Sequence, residues 1–594
     1  MKRYLVLGCL VMAGVAHGQL NLDPIDDGDW QAEQVRHLLS RAGFGANPDE
    51  IDRMAQRAPN TVVKQLLKGG AVEGQDDAGF AHSGVFEPGL DPFPPSRPAT
   101  TALAKQQGHA LGVQVKKSGN RPLQPVVNKF FYWLRASRLE TDRVAYWWAE
   151  QMLNTRHPLR DKAALFWHGH FATNEDKVRD YRKMLLQLET IRANGLGNFR
   201  DLLISMAQDP AMLVFLDAGV NTKDSPNENF AREIMELFTM GVGHYSERDV
   251  QEAARAFTGW NVHNLDFKVD AEHHDTDGKM FLGQEGQFDG IDVIDIILKQ
   301  EATADFIAAK LYRYFVNEDL ASADESQLGD LLRSVDYEID AFLETLFLSR
   351  DFYSQQNVGS RIKGPVELVV STYRKMGLNT LPGVPDFNIT TGSLGQRLLH
   401  PPTVAGWSEG RSWITPSLMF ERSNFVLDVL FPDIGFVPPD RYPFIGEVVN
   451  VQDRLRQGMS ISAATKPTGV AEDGMMAASN MLADRDEDFN TRLGSMRGWQ
   501  MAIERVQPIP RVLAGVDMTG FVSALELGTP DQVVAQLAAH YFAVSLSDET
   551  LNALAAFLTE ELGTKDVLNA LSYAEEPLRK LLHRMLSLPE YQLG

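Results

Sequence analysis

Cysteine is almost missing from this chain: its 594 residues include one, Cys9. That scarcity excludes a disulfide framework, and it excludes a thiol nucleophile if the N-terminal segment is removed. No apolar run after the first residues approaches the roughly 20 needed to cross a bilayer. Positive charge is also in short supply. The 57 Lys and Arg residues, less Lys2 and Arg3, face 79 acidic residues, a net charge near −24. A nucleic-acid partner would be repelled by such a surface, and so would an anionic lipid surface. Several catalytic templates are missing too: no G-x-S-x-G elbow, no H-E-x-x-H zinc motif, no Walker loop and no dinucleotide fingerprint. No nucleotide cofactor is therefore expected.

The first eighteen residues read as an export signal. Lys2 and Arg3 form a basic start, Tyr4 to Val15 is apolar, and Ala16-His17-Gly18 offers a cleavage site before Gln19. Val6-Leu7-Gly8-Cys9 faintly resembles a lipoprotein box, but a cut there leaves too short an apolar segment. The expected product is periplasmic or secreted, with no transmembrane segment in the mature chain.

Helical periodicity dominates the remainder, and the expected fold is mainly α: a multi-helical globular body with a small β-hairpin excursion near residues 267–290. The chain divides into a signal peptide (1–18), an N-terminal helical segment (19–73) and a linker-rich insertion (74–122). A main helical domain (123–425), an irregular acidic region (426–498) and a C-terminal helical segment (499–594) follow. Asn47-Pro48 is a helix start. Phe130, Phe131, Trp133, Trp147 and Trp148 form an aromatic stripe that reads as core.

Polar residues gather between Leu165 and Gly283. In Ser225 to Phe238 the spacing predicts a helix from Pro226 to Met240, with Ser225 as its cap and Glu228 closing a capping box. Phe230, Ile234, Leu237 and Phe238 fall on one arc; Asn229, Glu233 and Glu236 share a narrow stripe beside Arg232. Glu233 borders the apolar arc, where a half-buried carboxylate needs an Arg, a proton or a metal ion. An exposed face with Arg232 paired to Glu228 or Glu236 is the structural alternative. His168-Gly169-His170 is expected in a tight turn between a helix ending at Gly169 and another capped by Thr173. Residues two apart in extended backbone point to the same side, so both imidazoles could reach one ion. Alternatively they cap free carbonyls. Asp275-Thr276-Asp277-Gly278 begins like a calcium loop, but Met280 breaks it; His274-Asp275 remains a ligand or acid–base pair, or a solvated loop.

At these residues the chain resembles bacterial exported proteins of domain-of-unknown-function family 1800. The matching segments are HLLSRAGFGANPDEI (His37 to Ile51), LFWHGHFAT, GNFRDLLISMAQDPAMLVFLD (Gly197 to Asp217), PNENFAREIMELFTMGVGHYSERDVQEAARAFTGW, the HDTDGKMFLG region, IKGPVELV (Ile362 to Val369) and PPTVAGWSEGRSWI (Pro401 to Ile414). The resemblance spans roughly Val35 to Arg422, and the C-terminal third matches less clearly. It implies a mainly helical exported protein and supplies no activity.

Two readings compete. In the first the chain is a metal-dependent extracytoplasmic enzyme, a hydrolase ahead of an oxidoreductase. His168, His170, His274 and Asp275 hold a divalent ion, zinc first, with iron or copper as redox alternatives. Glu233 is a further ligand or the base, Glu236 or Arg232 positions a small-molecule or polymer substrate, and Asn229 lies in the same stripe. In the second the polar cluster is structural, and the chain is an envelope scaffold or a binder of glycans or of an envelope protein, with Trp407 and Trp413 as candidate contacts.

Overall fold

A computed structural model describes residues 20–69, 78–86, 124–432, 491–510 and 512–594. The export segment, most of the 74–122 insertion and Lys466 to Asn490 of the acidic region lie outside them. Among the described residues nearly all regular structure is helical, and only four short strands occur. The fold is mainly α, as the periodicity requires.

The N-terminal helices behave as read. Asn47 caps Pro48–Ala55, accepting a hydrogen bond from the Glu50 amide, and Glu50 returns the bond to the Asn47 amide. The long helix Gln124–Asn154 buries Phe130, Trp133 and Trp148, so most of the aromatic stripe is core. The buried apolar side chains form one cluster that runs from Leu20 to Tyr591.

Two local expectations are corrected. The excursion near residues 267–290 is not one hairpin. β1 (Trp260–His263) pairs with β2 (Asp266–Val269), and β3 (Lys279–Phe281) pairs with β4 (Gln284–Gly286), as two separate antiparallel ribbons. Tight turns at Asn264 (φ 57°) and at Leu282-Gly283 (φ 46° and 78°) close each strand on its nearest neighbour in sequence. The second correction concerns the Ser225 segment. The helix spans only Asn229–Glu236. Ser225 instead donates its amide to the Thr222 carbonyl in a turn, and Asn227 accepts from the Asn229 amide at 3.0 Å. Asx turns of this kind compete with helix initiation, so the predicted capping box does not form.

The last residues close the body. The Lys363 amide donates to the Gln592 carbonyl at 2.8 Å, and the Gly594 amide donates to the Arg361 carbonyl at 2.9 Å. The Tyr591 and Thr372 hydroxyls lie 2.6 Å apart. The C-terminal segment thus lies directly against the start of the Pro365–Lys375 helix.

Candidate functional site

The HGH sequence is helical. Pro158–His170 runs one residue past the expected stop, and the next short helix, Glu175–Val178, is capped by Asn174 instead of Thr173. Thr173 donates its hydroxyl to Gln187 at 2.6 Å. Two positions along a helix is about 200° of rotation, so His168 and His170 point to different sides. Each imidazole has its own duty. His168 Nε2 accepts the Leu399 amide at 3.0 Å, with the Trp148 and Trp407 rings packed edgewise on it. His170 Nε2 donates to the Phe238 carbonyl at 3.1 Å, which leaves Nδ1 to accept from Lys310 Nζ, also at 3.1 Å. Burial holds the His168 pKa down at about 3, helped by His400. Burial, then the Lys310 charge, holds His170 well below its ordinary value.

The other sequence candidates are placed elsewhere. His274 Nδ1 donates to the Thr258 carbonyl at 2.7 Å. Asp275 accepts two hydrogen bonds from Arg255, at 2.8 and 3.3 Å. Arg232 is bound to Glu228 at 2.9 Å and to Glu247 at 2.7 Å, close to the structural alternative. Glu236 accepts from the Tyr245 hydroxyl, and Asn229 Nδ2 donates to the Leu216 carbonyl. Glu233 is half-buried, and burial followed by repulsion from Glu236 raises its pKa. Among the described residues, the acidic and imidazole groups whose ligating atoms converge are Glu175, Asp176 and His400. The expected convergence of His168, His170 and His274-Asp275 on one ion is not found, because helix geometry separates the first two and each ring already has a partner.

A different set does converge. A cavity of about 350 Å³ opens beside the HGH helix. Phe166 and His170 form one wall, Lys310 and Tyr314 a second, Arg361 and Glu367 a third, and Trp407, Glu409 and Trp413 a fourth. These walls come from three segments that carried the sequence resemblance, or lie next to them: FWHGHFAT, IKGPVELV and PPTVAGWSEGRSWI. Lys310 lies in the Glu301–Phe315 helix. Gly406 permits the fourth wall: its φ is 86°, and a Cβ there would sit 2.3 Å from the Gly169 carbonyl oxygen.

Buried positive charge gathers at the third wall, where Glu318 and Glu409 also face Arg361. Glu367 is buried and accepts from Lys162 Nζ at 2.6 Å, with Arg361 Nη1 3.5 Å away. Burial opposes its ionisation, but Lys162, Arg361 and Arg41 together hold the Glu367 pKa down at about 2. Arg41 supplies further positive charge behind the wall, donating to the Tyr314 and Phe315 carbonyls at 2.9 Å. Three buried cations thus share one wholly buried carboxylate. Two donors at the cavity lack acceptors: Arg361 Nη1 and Trp413 Nε1 are buried and make no hydrogen bond. An unsatisfied buried donor costs about 1–3 kcal/mol, which an acceptor that reached either donor would offset. Burial also lowers the Lys310 pKa to about 8, against the opposing effect of Glu409. A measurable fraction of its amine is therefore neutral near pH 7.5 and able to accept a proton.

Sequence reading missed Lys310, Arg361 and Glu367. For Lys310 and Glu367 the available signal was an ionic residue inside an otherwise apolar helix, as with Lys162 in KAALFW. Such residues mark buried pairs that are built for a reason.

No curated protein and no solved structure matches this chain. The family profile described as "protein of unknown function (DUF1800)" matches residues 37–593. The match takes in the C-terminal third that the motif comparison left less clear, and it contains all four walls of the cavity. The chain belongs to the DUF1800 family.

Proposed function

We propose that the cavity beside the HGH helix is the working site of an enzyme that acts on a small molecule with an oxyanion, such as a carboxylate, attached to a ring or other flat apolar body. The observation that carries this reading is the pair of acceptor-less buried donors, Arg361 Nη1 and Trp413 Nε1, on the walls of the same cavity as Lys310. The oxyanion meets Arg361 and Trp413, the apolar body packs between Phe166, Tyr314 and Trp407, and the Lys310 amine is the acid–base group. His170 holds that amine through Nδ1, with its own tautomer fixed by the Phe238 carbonyl. The proposal includes export, based on residues 1–18.

A metal-dependent hydrolase built on His168 and His170 is not carried by this geometry. A non-catalytic binding protein is the second reading, favoured by the extent to which His168, Lys162 and Glu367 serve packing. The two differ at Lys310.

The test is a thermal-shift screen of small carboxylates against their neutral amide or alcohol analogues, followed by mass spectrometry for turnover of any ligand found. Acids alone are expected to raise Tm in the natural chain and to lose most of that effect in Trp413→Phe, which keeps the ring and removes the donor. Conversion is expected to vanish in Lys310→Met while binding persists. Equal binding of acids and neutral analogues, or an unchanged shift in Trp413→Phe, would overturn the oxyanion site. Binding without turnover in the natural chain would leave a binding protein.

A further inference from the structure

A second constellation lies behind the HGH helix and makes no use of the cavity. The Asn174 side chain donates to the Pro401 carbonyl at 2.8 Å, and the Glu175 amide donates to the Leu399 carbonyl at 3.1 Å. These two bonds press residues 399–401 against the turn that begins the Glu175–Val178 helix. As a result His400 faces Glu175 and Asp176, and one ligating atom from each lies within 4.8 Å of the other two.

The groups are poorly satisfied by protein alone. The His400 side chain is only 6% exposed, yet neither of its ring nitrogens makes a hydrogen bond. Its Nδ1 is 3.7 Å from Asp176 Oδ2, beyond hydrogen-bond reach. Glu175 is buried, and its carboxylate receives a long hydrogen bond of 3.4 Å from the Ser137 hydroxyl. Asp176, by contrast, has a side chain 61% exposed, which leaves one side of the cluster open to water. Other charges nearby are Arg138, Arg397 and Asp142. Arg397 is bound to Asp142 at 2.6 Å, which leaves Arg138 as the remaining cation facing Glu175 and Asp176.

From this geometry we infer that Glu175, Asp176 and His400 form a binding site for a divalent transition ion. Two carboxylates with one imidazole suit zinc or manganese, and the imidazole disfavours calcium and magnesium, which take oxygen ligands. The open side at Asp176 accommodates the remaining water ligands. The ion would lock residues 399–407 onto the end of the HGH helix. His168 already holds the Leu399 amide there, and Trp407 continues the same segment into the cavity wall. This inference does not depend on what the cavity binds.

The experiment uses the full chain, stripped with a chelator, reloaded with zinc or manganese chloride and passed over a weak chelating resin before elemental mass spectrometry. About one equivalent of ion is expected in the natural chain, with a rise in Tm on loading. His400→Ala and Asp176→Asn, tested separately, are expected to retain less than about a tenth of that, while His274→Ala retains it in full. Circular dichroism reports folding. If His400→Ala fails to fold, Asp176→Asn decides, since its side chain is mainly in water. No retained ion in the natural chain, or a full equivalent in folded Asp176→Asn, overturns the site. Ion lost equally from every protein on the resin means surface acidic binding only and also overturns it.

Discussion

Lys162 and Glu367 lie 205 positions apart in sequence and meet at 2.6 Å, with both side chains shut away from solvent. The contact ties the HGH helix to the Pro365–Lys375 helix and anchors Glu367 in the third wall of the cavity. Its energetic balance is asymmetric. Two charges have been taken from water, so removing one strands the other, and the loss from breaking such a pair is about 3–5 kcal/mol. Glu367→Gln also leaves Arg361 with less compensation. Chemical denaturation should show a fall of that size for Glu367→Gln. Lys162→Met with Glu367→Leu should recover only the part due to Lys162, because Arg361 and Arg41 still lose the carboxylate they share.

Gly406→Ala should be among the most damaging substitutions of a single methyl. The left-handed backbone there is strained for any L side chain, and the added carbon would meet the Gly169 carbonyl oxygen at 2.3 Å, a backbone atom in a helix that cannot give way. A loss of ~3 kcal/mol follows from strain and overpacking together. Trp407 fluorescence should change with it, since the same shift displaces the ring from His168. Gly377→Ala, also at positive φ but with nothing nearby, should cost about 1 kcal/mol, which isolates the steric part.

Acid should unfold the protein in two phases. His37 and His168 have folded pKa values near 3, and His170 is also far below 6.5, mainly through burial. In the unfolded chain they protonate near pH 6.5, so the unfolded state binds more protons, and each His removes about 1.4 kcal/mol of stability per pH unit below that. Burial acts in the opposite sense on Glu175 and Asp209, raising them to about 8 and about 7. The stabilisation they give is present at low pH and lost as pH rises through those values, so between pH 6.5 and 4.5 they offset part of the histidine loss. Below about pH 4.5 the unfolded acids are protonated too, and that offset ends. Glu367, with its folded pKa held at about 2, then adds to the loss. Denaturation midpoints measured from pH 7 to 3.5 should fall gently at first and steeply below about 4.5.

Lys310 should stand apart from surface lysines in reactivity. Burial lowers its pKa to about 8, where an ordinary lysine titrates near 10.4. Competitive acetylation read by peptide mass spectrometry should show a midpoint near pH 8 at this position. Lys64, half exposed on the Pro59–Lys68 helix, supplies the surface lysine for comparison. A cavity ligand with an oxyanion should protect Lys310 alone.

Local signals in the sequence were read well where one residue dominates its surroundings. Asn47-Pro48 starts a helix because the Asn side chain and the Pro ring each satisfy the first turn without tertiary help. The aromatic stripe of the long helix is core because Trp133 and Trp148 have little alternative. Ser225-Pro226 misled because the same residue types that cap helices also build Asx turns, and here Asn221, Asn227 and Thr222 favour the turn. His168 and His170 misled for a different reason. Glycine between them suggested a stop, but Gly169 stays within the helix, and its carbonyl oxygen is what the Gly406 backbone lies against. The cavity itself was beyond local reading. Arg361, Lys310 and Trp413 acquire meaning only when separate segments are brought together, although Trp413 lies in one of the motifs picked out and Arg361 immediately precedes another.

The strap formed by the last residues has a consequence for timing. Arg361 is held at its carbonyl by the Gly594 amide, and Lys363 donates its amide to Gln592 and its ammonium to the Tyr591 carbonyl. The wall that carries the Arg361–Glu367 pair is therefore fastened by residues more than 200 positions away in sequence. Contacts of such long sequence separation form late and slowly. Refolding should thus bury the aromatic stripe and seat the HGH helix before the third wall is fixed, which makes a finished cavity a reporter of finished folding.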